Sequence, residues 1–380
     1  MIRTFQYRVQ LSDEAEAHCL NWLERCHTLY NLALEQRISI YKQSKKSVSF
    51  YDQCSQLPEL KEAYPEFAVV GSQCIQDVLE RLDKAYKAFF KRAKEGKAGF
   101  PRFKSFNRYN SFTLKQSGWK LEGRYLHLTK IGRLKLFLSR PIEGKIKTVT
   151  VKINSTGKWF VSFCCDEVQP KYFPQTDQAI GIDVGIKHFA VDSEGKVVEN
   201  PKFLRKSLAE LHVKQRTLSR RHRSSHRRRL ARLAVARLHE KVSNQRKDFL
   251  HKVSNHYIRN YKYIAVEDLN ISGMVKNRHL AKSISDASWN QFFIMLSYKA
   301  ESAGRVLIKV DPRGTSQRCS GCGELVPKKL SERIHCCQNC GLILDRDENA
   351  ARNIQTLGQS VKAITWSDVG SCVALESPDL

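Results

Sequence analysis

Two cysteine pairs constrain this 380-residue chain more than any other feature: Cys319-x-x-Cys322 and Cys337-x-x-Cys340, fourteen residues apart and each followed at once by a glycine, Gly323 and Gly341. Such pairs make two tight turns whose four thiolates can meet tetrahedrally around one ion, which predicts a zinc ribbon. Cys336 offers a shifted pair, but Cys336-x-x-x-Cys340 is a poorer turn, and Gly341 sits where the Cys337/Cys340 register needs it. With thiolate at all four places the single Zn2+ is structural and has no open position for chemistry. The remaining cysteines, at 19, 26, 54, 74, 164, 165 and 372, are scattered, which suits a reducing compartment better than a disulfide framework.

Charge identifies the class of partner. Lys and Arg number 65 against 38 Asp and Glu, a formal net charge of +27 with a pI near 9.7. A surplus of this size needs a polyanion to neutralise it, and nucleic acid is the expected one. Hydrophobic residues at 41% can fill real cores, so wholesale disorder is excluded. No run of 18 apolar residues and no signal-peptide h-region is seen, so a soluble chain without membrane association is expected. Two blocks concentrate the charge. Lys84 to Arg108 holds nine cations and one acid, and ends in Gly99-Phe100-Pro101-Arg102-Phe103, the mixture of rings and cations that stacking plus phosphate contact would use. Lys202 to Lys247 carries 16 cations and two acids, net +14, with Leu230, Leu233, Ala234 and Leu238 at helical spacing. The candidate nucleic-acid contacts here are Lys97, Arg102 and Lys104 in the first block, and Arg220, Arg221, Arg223, Arg227 and Arg228 in the second.

Periodicity divides the chain. Ile2 to Leu11 alternates as one strand, and apolar residues then recur at three and four up to Lys97, broken at Pro58 and Pro65. Short alternating runs from Ser111 to about Val168 predict a small antiparallel barrel or sandwich, which the opening strand completes. Pro170 and Pro174 mark a linker, with a domain boundary near 175. Beyond it, buried strands at 179–184 and 261–269 alternate with helical stretches and predict a wound α/β core. After Leu357 periodicity fades, and a poorly ordered tail, dispensable for chemistry, is expected.

Three acids fall where a hydrolytic metal site would want them: Asp183 and Glu267 at the carboxyl ends of core strands, and Asp347 at the start of a short helix. Hard divalent ions take oxygen ligands, and two of them can stabilise the attacking and leaving oxygens of a phosphodiester. Mg2+ or Mn2+ is therefore the expected catalytic cofactor. Asp268 directly follows Glu267 and should face the other way. Pattern alone leaves Asp345 and Asp347 equivalent.

In order along the chain, GIDVGIKHFAV, the basic helical region, YIAVEDLN, TSQRCSGCG, CCQNCG and LDRDENAARNI resemble the transposon-encoded TnpB proteins, relatives of the type V CRISPR effectors. The match spans about residues 175 to 356, while the first half agrees only in layout. The resemblance implies a multi-domain α+β fold: an N-terminal β-barrel (wedge) at 1–11 and 105–174 with a helical recognition insertion at 12–104. A RuvC-like, RNase H-type α/β nuclease core would follow at 175–311 and 342–357. It would be interrupted by the zinc ribbon at 312–341 acting as a target-strand loading element, with 358–380 as the flexible tail. It further implies that Asp183, Glu267 and Asp347 are the catalytic metal ligands, which separates Asp347 from Asp345 by analogy only. The implied partners are a transposon-derived guide RNA and double-stranded target DNA, cut beside a short flanking motif by a chain that is monomeric on nucleic acid and works in the prokaryotic cytoplasm at the nucleoid. Arg313 and Arg318, flanking the ribbon, would hold phosphates of a displaced strand. A guided repressor without cleavage and a transposase joining DNA strands directly are the alternatives.

Overall fold

The structure, a computed structural model, describes residues 1–97, 99–171, 173–329 and 332–369, the side chains of 361–369 excepted. Two compact units meet at Gln169/Pro170, several residues before the boundary expected near 175.

In the first unit, strand β1 (Arg3–Gln10) leads into helices α1 (Asp13–Ser44), α2 (Phe50–Ser55), α3 (Leu57–Ala63) and α4 (Ser72–Lys94). The start of α1 is local chemistry. Ser12 caps it by accepting the Ala15 N–H, and Asp13, Glu14 and Glu16 sit at the positive end of the helix dipole. Its buried stripe, Cys19, Trp22, Leu23, Cys26, Leu29, Tyr30, Ala33 and Leu34, keeps the three-and-four spacing. Ser49 and Asp52 form a capping box that starts α2.

Six strands follow: β2 (Ser111–Leu114), β3 (Trp119–Glu122), β4 (Tyr125–Leu128), β5 (Gly132–Phe137), β6 (Lys145–Ile153) and β7 (Trp159–Asp166). They join β1 in one antiparallel sheet of order β2-β6-β7-β1-β5-β4-β3. No ladder links the edge strands β2 and β3 among the described residues. The sheet buries one face, with β1 alternating through Phe5, Tyr7 and Val9. Helices and sheet share a single hydrophobic core, in which Trp22 of α1 meets Phe112 of β2 at 5.3 Å between ring centroids. The helical stretch is therefore an insertion packed on its own sheet, and it does not form a core of its own, because α1 and α4 need the sheet's inner face to cover their apolar stripes.

The second unit contains β8 (Ala179–Val184), β9 (His188–Asp192), β10 (Val197–Glu199), α5 (Phe203–Ser219), α6 (His226–Asn260) and β11 (Tyr263–Glu267). After these come α7 (Ile271–Met274), α8 (Ala281–Ala287), α9 (Trp289–Ala303), β12 (Val306–Val310), the short strands β13 (Ile334–Cys336) and β14 (Ile343–Asp345), and α10 (Arg346–Val369). Its main sheet has the order β10-β9-β8-β11-β12. The β8–β11 and β11–β12 pairs are parallel, while β9 runs antiparallel to both of its neighbours. The basic block forms a helical hairpin of α5 and α6, with the cations of its 220–227 turn exposed.

Glycine decides how α10 meets this sheet. A Cβ at Gly181 of β8 would overlap the Ala351 carbonyl and crowd the Gln355 N–H, and one at Gly358 would lie 2.6 Å from the Ala265 Cβ of β11. Backbone thus lies almost directly on backbone, and Gln355 Nε2 donates to the Ala179 carbonyl at 2.8 Å. Gly181→Ala is expected to cost about 3 kcal/mol, since no side-chain rotation relieves a clash with main chain. A urea titration of the full-length protein followed by circular dichroism checks this. The segment from 358, expected to be a loose tail, continues α10 to Val369, and 370–380, Cys372 included, lie outside the described residues.

Candidate metal centres

Register brings the first two acids together. Val266 of β11 pairs with Ile182 of β8, so the next step along the same parallel ladder sets Glu267 level with Asp183 at the carboxyl ends of adjacent strands. Residues in register on parallel neighbours project from the same face. The third acid comes from α10, whose contact with Gly181 lays its first turn beside the end of β8.

Electrostatics reports the crowding. The Asp183 carboxyl is pushed well above the usual carboxylate range by burial first and then by the charges of Glu267 and Asp347; Arg346 and the Val184 N–H oppose this only in part. Glu267, 8% exposed, is also raised by burial, although it accepts the Thr315 hydroxyl at 2.6 Å. Asp347 is held between two guanidinium groups, with Arg346 Nη2 at 3.1 Å and Arg333 Nη1 at 3.9 Å. Asp183 thus feels the charges of both other acids, a set that would suit a hard divalent cation, although among the described residues only the four cysteines bring three or more ligand atoms within 4.8 Å of one another.

The neighbouring acids have other work. Asp345 accepts the Asp347 N–H at 2.8 Å and so caps the start of α10, while Asp268 is exposed and pairs with Lys309 at 3.0 Å.

Four sulfurs, of Cys319, Cys322, Cys337 and Cys340, lie within 4.8 Å of one another. Cys319–Cys340 and Cys322–Cys337 are separated by 3.5 and 3.6 Å, near the ~3.8 Å edge of a tetrahedron with Zn–S of about 2.3 Å. The two turns repeat one hydrogen-bond scheme. Gly323 and Gly341 each donate to the carbonyl of the first cysteine at 2.9 Å, and Cys319 and Cys337 donate to Glu324 and Leu342. Both glycines have φ near +75° to +79°, a conformation costly for residues with a Cβ. The Glu324 N–H and the Asn339 amide draw the Cys322 thiol down, while Cys340, against the pull of the Leu342 N–H, is pushed up by the sulfurs of Cys319 and Cys322, the mutual effect of thiols this close. Cys336 lies on β13, exposed and outside the cluster.

Thr315, Asn349 and Asn353 join the two centres, and sequence reasoning assigned them no role. Fully buried Asn349 accepts the Ser320 N–H at 2.9 Å and donates to the Arg318 carbonyl at 2.8 Å. Asn353, one turn on, donates to the Thr315 and Arg318 carbonyls at 2.8 and 2.7 Å. The loop that enters the first cysteine turn is thereby pinned to α10, and its Thr315 reaches Glu267. Two asparagines four apart in a helix were the available signal.

Of the ten cations singled out, Lys97, Arg102, Arg220, Arg221, Arg223, Arg227, Arg313 and Arg318 are exposed. Two have internal duties. Lys104 Nζ sits 4.1 Å from the Tyr30 ring centroid, and Arg228 Nη1 donates to the Leu218 and Arg221 carbonyls at 2.9 Å, tying down the α5–α6 turn.

Comparison with known proteins places the chain in a family. A Streptomyces pristinaespiralis protein provisionally named an RNA-guided DNA endonuclease is 36% identical over 369 residues, covering 95% of this chain and 90% of its own length. InsQ of Escherichia coli K12, under the same provisional name, is 31% identical over 383 residues, 95% of this chain and 94% of its own. TnpB-like proteins are among the more distant relatives. The chain belongs to the TnpB family. In this TnpB chain, residues 162–278 match the family model described as "Probable transposase", and 289–354, which include the whole thiolate cluster, match the Cas12f1-like TNB domain. A helix-turn-helix model matches 1–46, although here that stretch is one strand and one unbroken helix. The fold is also that of the mini RNA-guided endonuclease CRISPR-Cas phi3, with a TM-score of 0.50, 10% identity and coverage of 94% of this chain and 92% of that one.

Proposed function

We propose that this TnpB-family protein is an RNA-guided, metal-dependent endonuclease that cuts double-stranded DNA beside a short flanking motif. What supports the reading is the approach of Asp183, Glu267 and Asp347 from two adjacent strand ends and one helix start, with Asp183 raised by burial and then by the charges of the other two. The 3-2-1-4-5 strand order, with only the second strand reversed, supports a RuvC-like, RNase H-type assignment for the second unit. In the first unit, the seven-stranded sheet would be the barrel-like wedge and α1 to α4 the recognition insertion. The names of the relatives, RNA-guided DNA endonucleases, agree.

Asp183, Glu267 and Asp347 would hold a pair of Mg2+ or Mn2+ ions. Those ions would polarise the scissile phosphate and lower the pKa of attacking water. The protein's own part is placement: Gly181 admits α10, Thr315 orients Glu267, and Arg346 holds Asp347. Cys319, Cys322, Cys337 and Cys340 would bind one structural Zn2+, and the ribbon would feed strands to the site. Guide pairing reads sequence, while the cations of α5, α6 and the 95–108 stretch follow the backbone.

The test is plasmid cleavage by full-length protein purified with the RNA that accompanies it, that RNA being sequenced. Linearisation only of a plasmid matching the guide, lost on chelation of Mg2+, is expected. Strand joining without RNA would instead favour the transposase reading, and absence of bound RNA together with absence of cutting would refute the proposal.

A further inference from the structure

Among the cations between α4 and β2 stand two phenyl rings that the cleavage reading does not use. Phe100 and Phe103 are 47% and 52% exposed, and they line a cavity of about 380 Å³ together with Arg92, Arg102, Lys104 and Arg108. The backbone here is held firmly. Arg92 Nη2 donates to the Gly99 carbonyl at 2.8 Å, the Lys104 N–H donates to Asn31 Oδ1 at 2.9 Å, and the Lys104 carbonyl accepts Asn31 Nδ2 at 2.9 Å and meets a His27 ring nitrogen at 2.7 Å. Phe100 is seated edge-on against Phe89 and Tyr86, with centroids at 5.2 and 5.7 Å. The segment is thus clamped at both ends while two phenyl rings stay half out in water, although Pro101 between them is buried.

Leaving two such rings exposed forgoes burial free energy, and a rim of guanidinium groups discourages a basic or apolar protein partner. A ring face framed by cations is the arrangement that stacks a nucleobase while neutralising its phosphates. From this geometry we infer that Phe103, with Phe100 behind it, is a stacking platform for an unpaired base of the RNA that the protein carries, and that Arg102 and Arg108 take the flanking phosphates. RNA is the occupant because it stays bound throughout and covers the apolar surface at rest, whereas DNA offers unpaired bases only after melting. The inference rests on the RNA-guided reading above, but it is measured without any cleavage.

Full-length protein freed of nucleic acid in high salt is titrated with a single-stranded 12-mer of uridine, with the matching 12-mer of thymidine, and with duplex RNA. Phe103→Ala should weaken the uridine 12-mer about 5- to 100-fold and leave duplex RNA unchanged, with the salt dependence of binding retained. Phe103→Trp should restore affinity, and Phe103→Leu should not. Arg102→Ala should lower the salt slope by about 1. With 5-iodouridine in the oligomer, photocrosslinks read by mass spectrometry after Glu-C digestion should fall on Phe100 or Phe103. Wild-type affinity in Phe103→Ala, rescue by Leu, crosslinks confined to other segments, or a loss seen only with thymidine would each overturn the assignment. Wild-type protein that binds the uridine 12-mer through Phe103 but never cuts a guide-matched plasmid would refute the nuclease reading alone.

Discussion

Asp183→Ala should leave the protein folded and loaded with RNA, yet slow target cleavage by about 10³-fold or more, because an ion held by too few carboxylates no longer stabilises the phosphoryl charge. Single-turnover cleavage of a guide-matched plasmid checks the rate, and gel shift with the same DNA checks that binding survives. A rate within tenfold of wild type would remove Asp183 from the site. Asp183→Asn sharpens the test, because the amide keeps the shape and discards the charge. The folded-state carboxyl titrates above its unfolded value. Ionisation therefore destabilises the metal-free fold progressively as pH climbs from the unfolded pKa to the folded one, and has no effect below both. At neutral pH, Asp183→Asn should thus raise the unfolding midpoint of metal-free protein, by about 2–4 °C for each kcal/mol of relieved repulsion, while abolishing cleavage. Gain of stability together with loss of activity is the pattern expected where function, not folding, sets the residue.

Cys337→Ser is the second large effect. A structural Zn2+ in a four-thiolate site contributes binding free energy on the order of 10 kcal/mol to its local fold, and β13 and β14 are too short to hold the ribbon without it. Metal analysis should fall from one Zn2+ per chain to none, and hydrogen exchange across 313–345 should rise by orders of magnitude. Cleavage should fail as well, because Asn349 and Asn353 grip the very loop that enters the ribbon. Cys336→Ser, at the adjacent residue but outside the cluster, should change none of the three. Equal effects of the two substitutions would mean that the ligand register is shifted.

The features legible in the sequence were those whose cause is local. Cysteine spacing encodes the ribbon turns because each glycine sits within four residues of its thiolate, and the acids announce themselves at strand ends because strands end where apolar runs end. Close approach is different. Gly181 matters only because α10, about 170 residues later, crosses it, and nothing near Gly181 says so. Likewise, Asn349 looks like any helical polar residue until the loop of Arg318 to Ser320 is folded over it. Lys104 and Arg228 are candidate phosphate contacts from charge density, and the structure adds ring and carbonyl partners to them, which composition does not register. The choice between Asp345 and Asp347 depends on helix phase at a strand–helix junction, which the sequence does not display; in the structure Asp345 accepts the Asp347 N–H there.

That junction has a mechanical consequence. Strand β14 ends at Asp345 and α10 begins at Arg346, so no slack separates ribbon from helix. Each residue of an α-helix turns it by about 100°, so grafting a foreign ribbon with one residue too many would swing the Asp347 side chain out of reach of its partners. Chimaeras built at this seam must conserve phase as strictly as they conserve the cysteines.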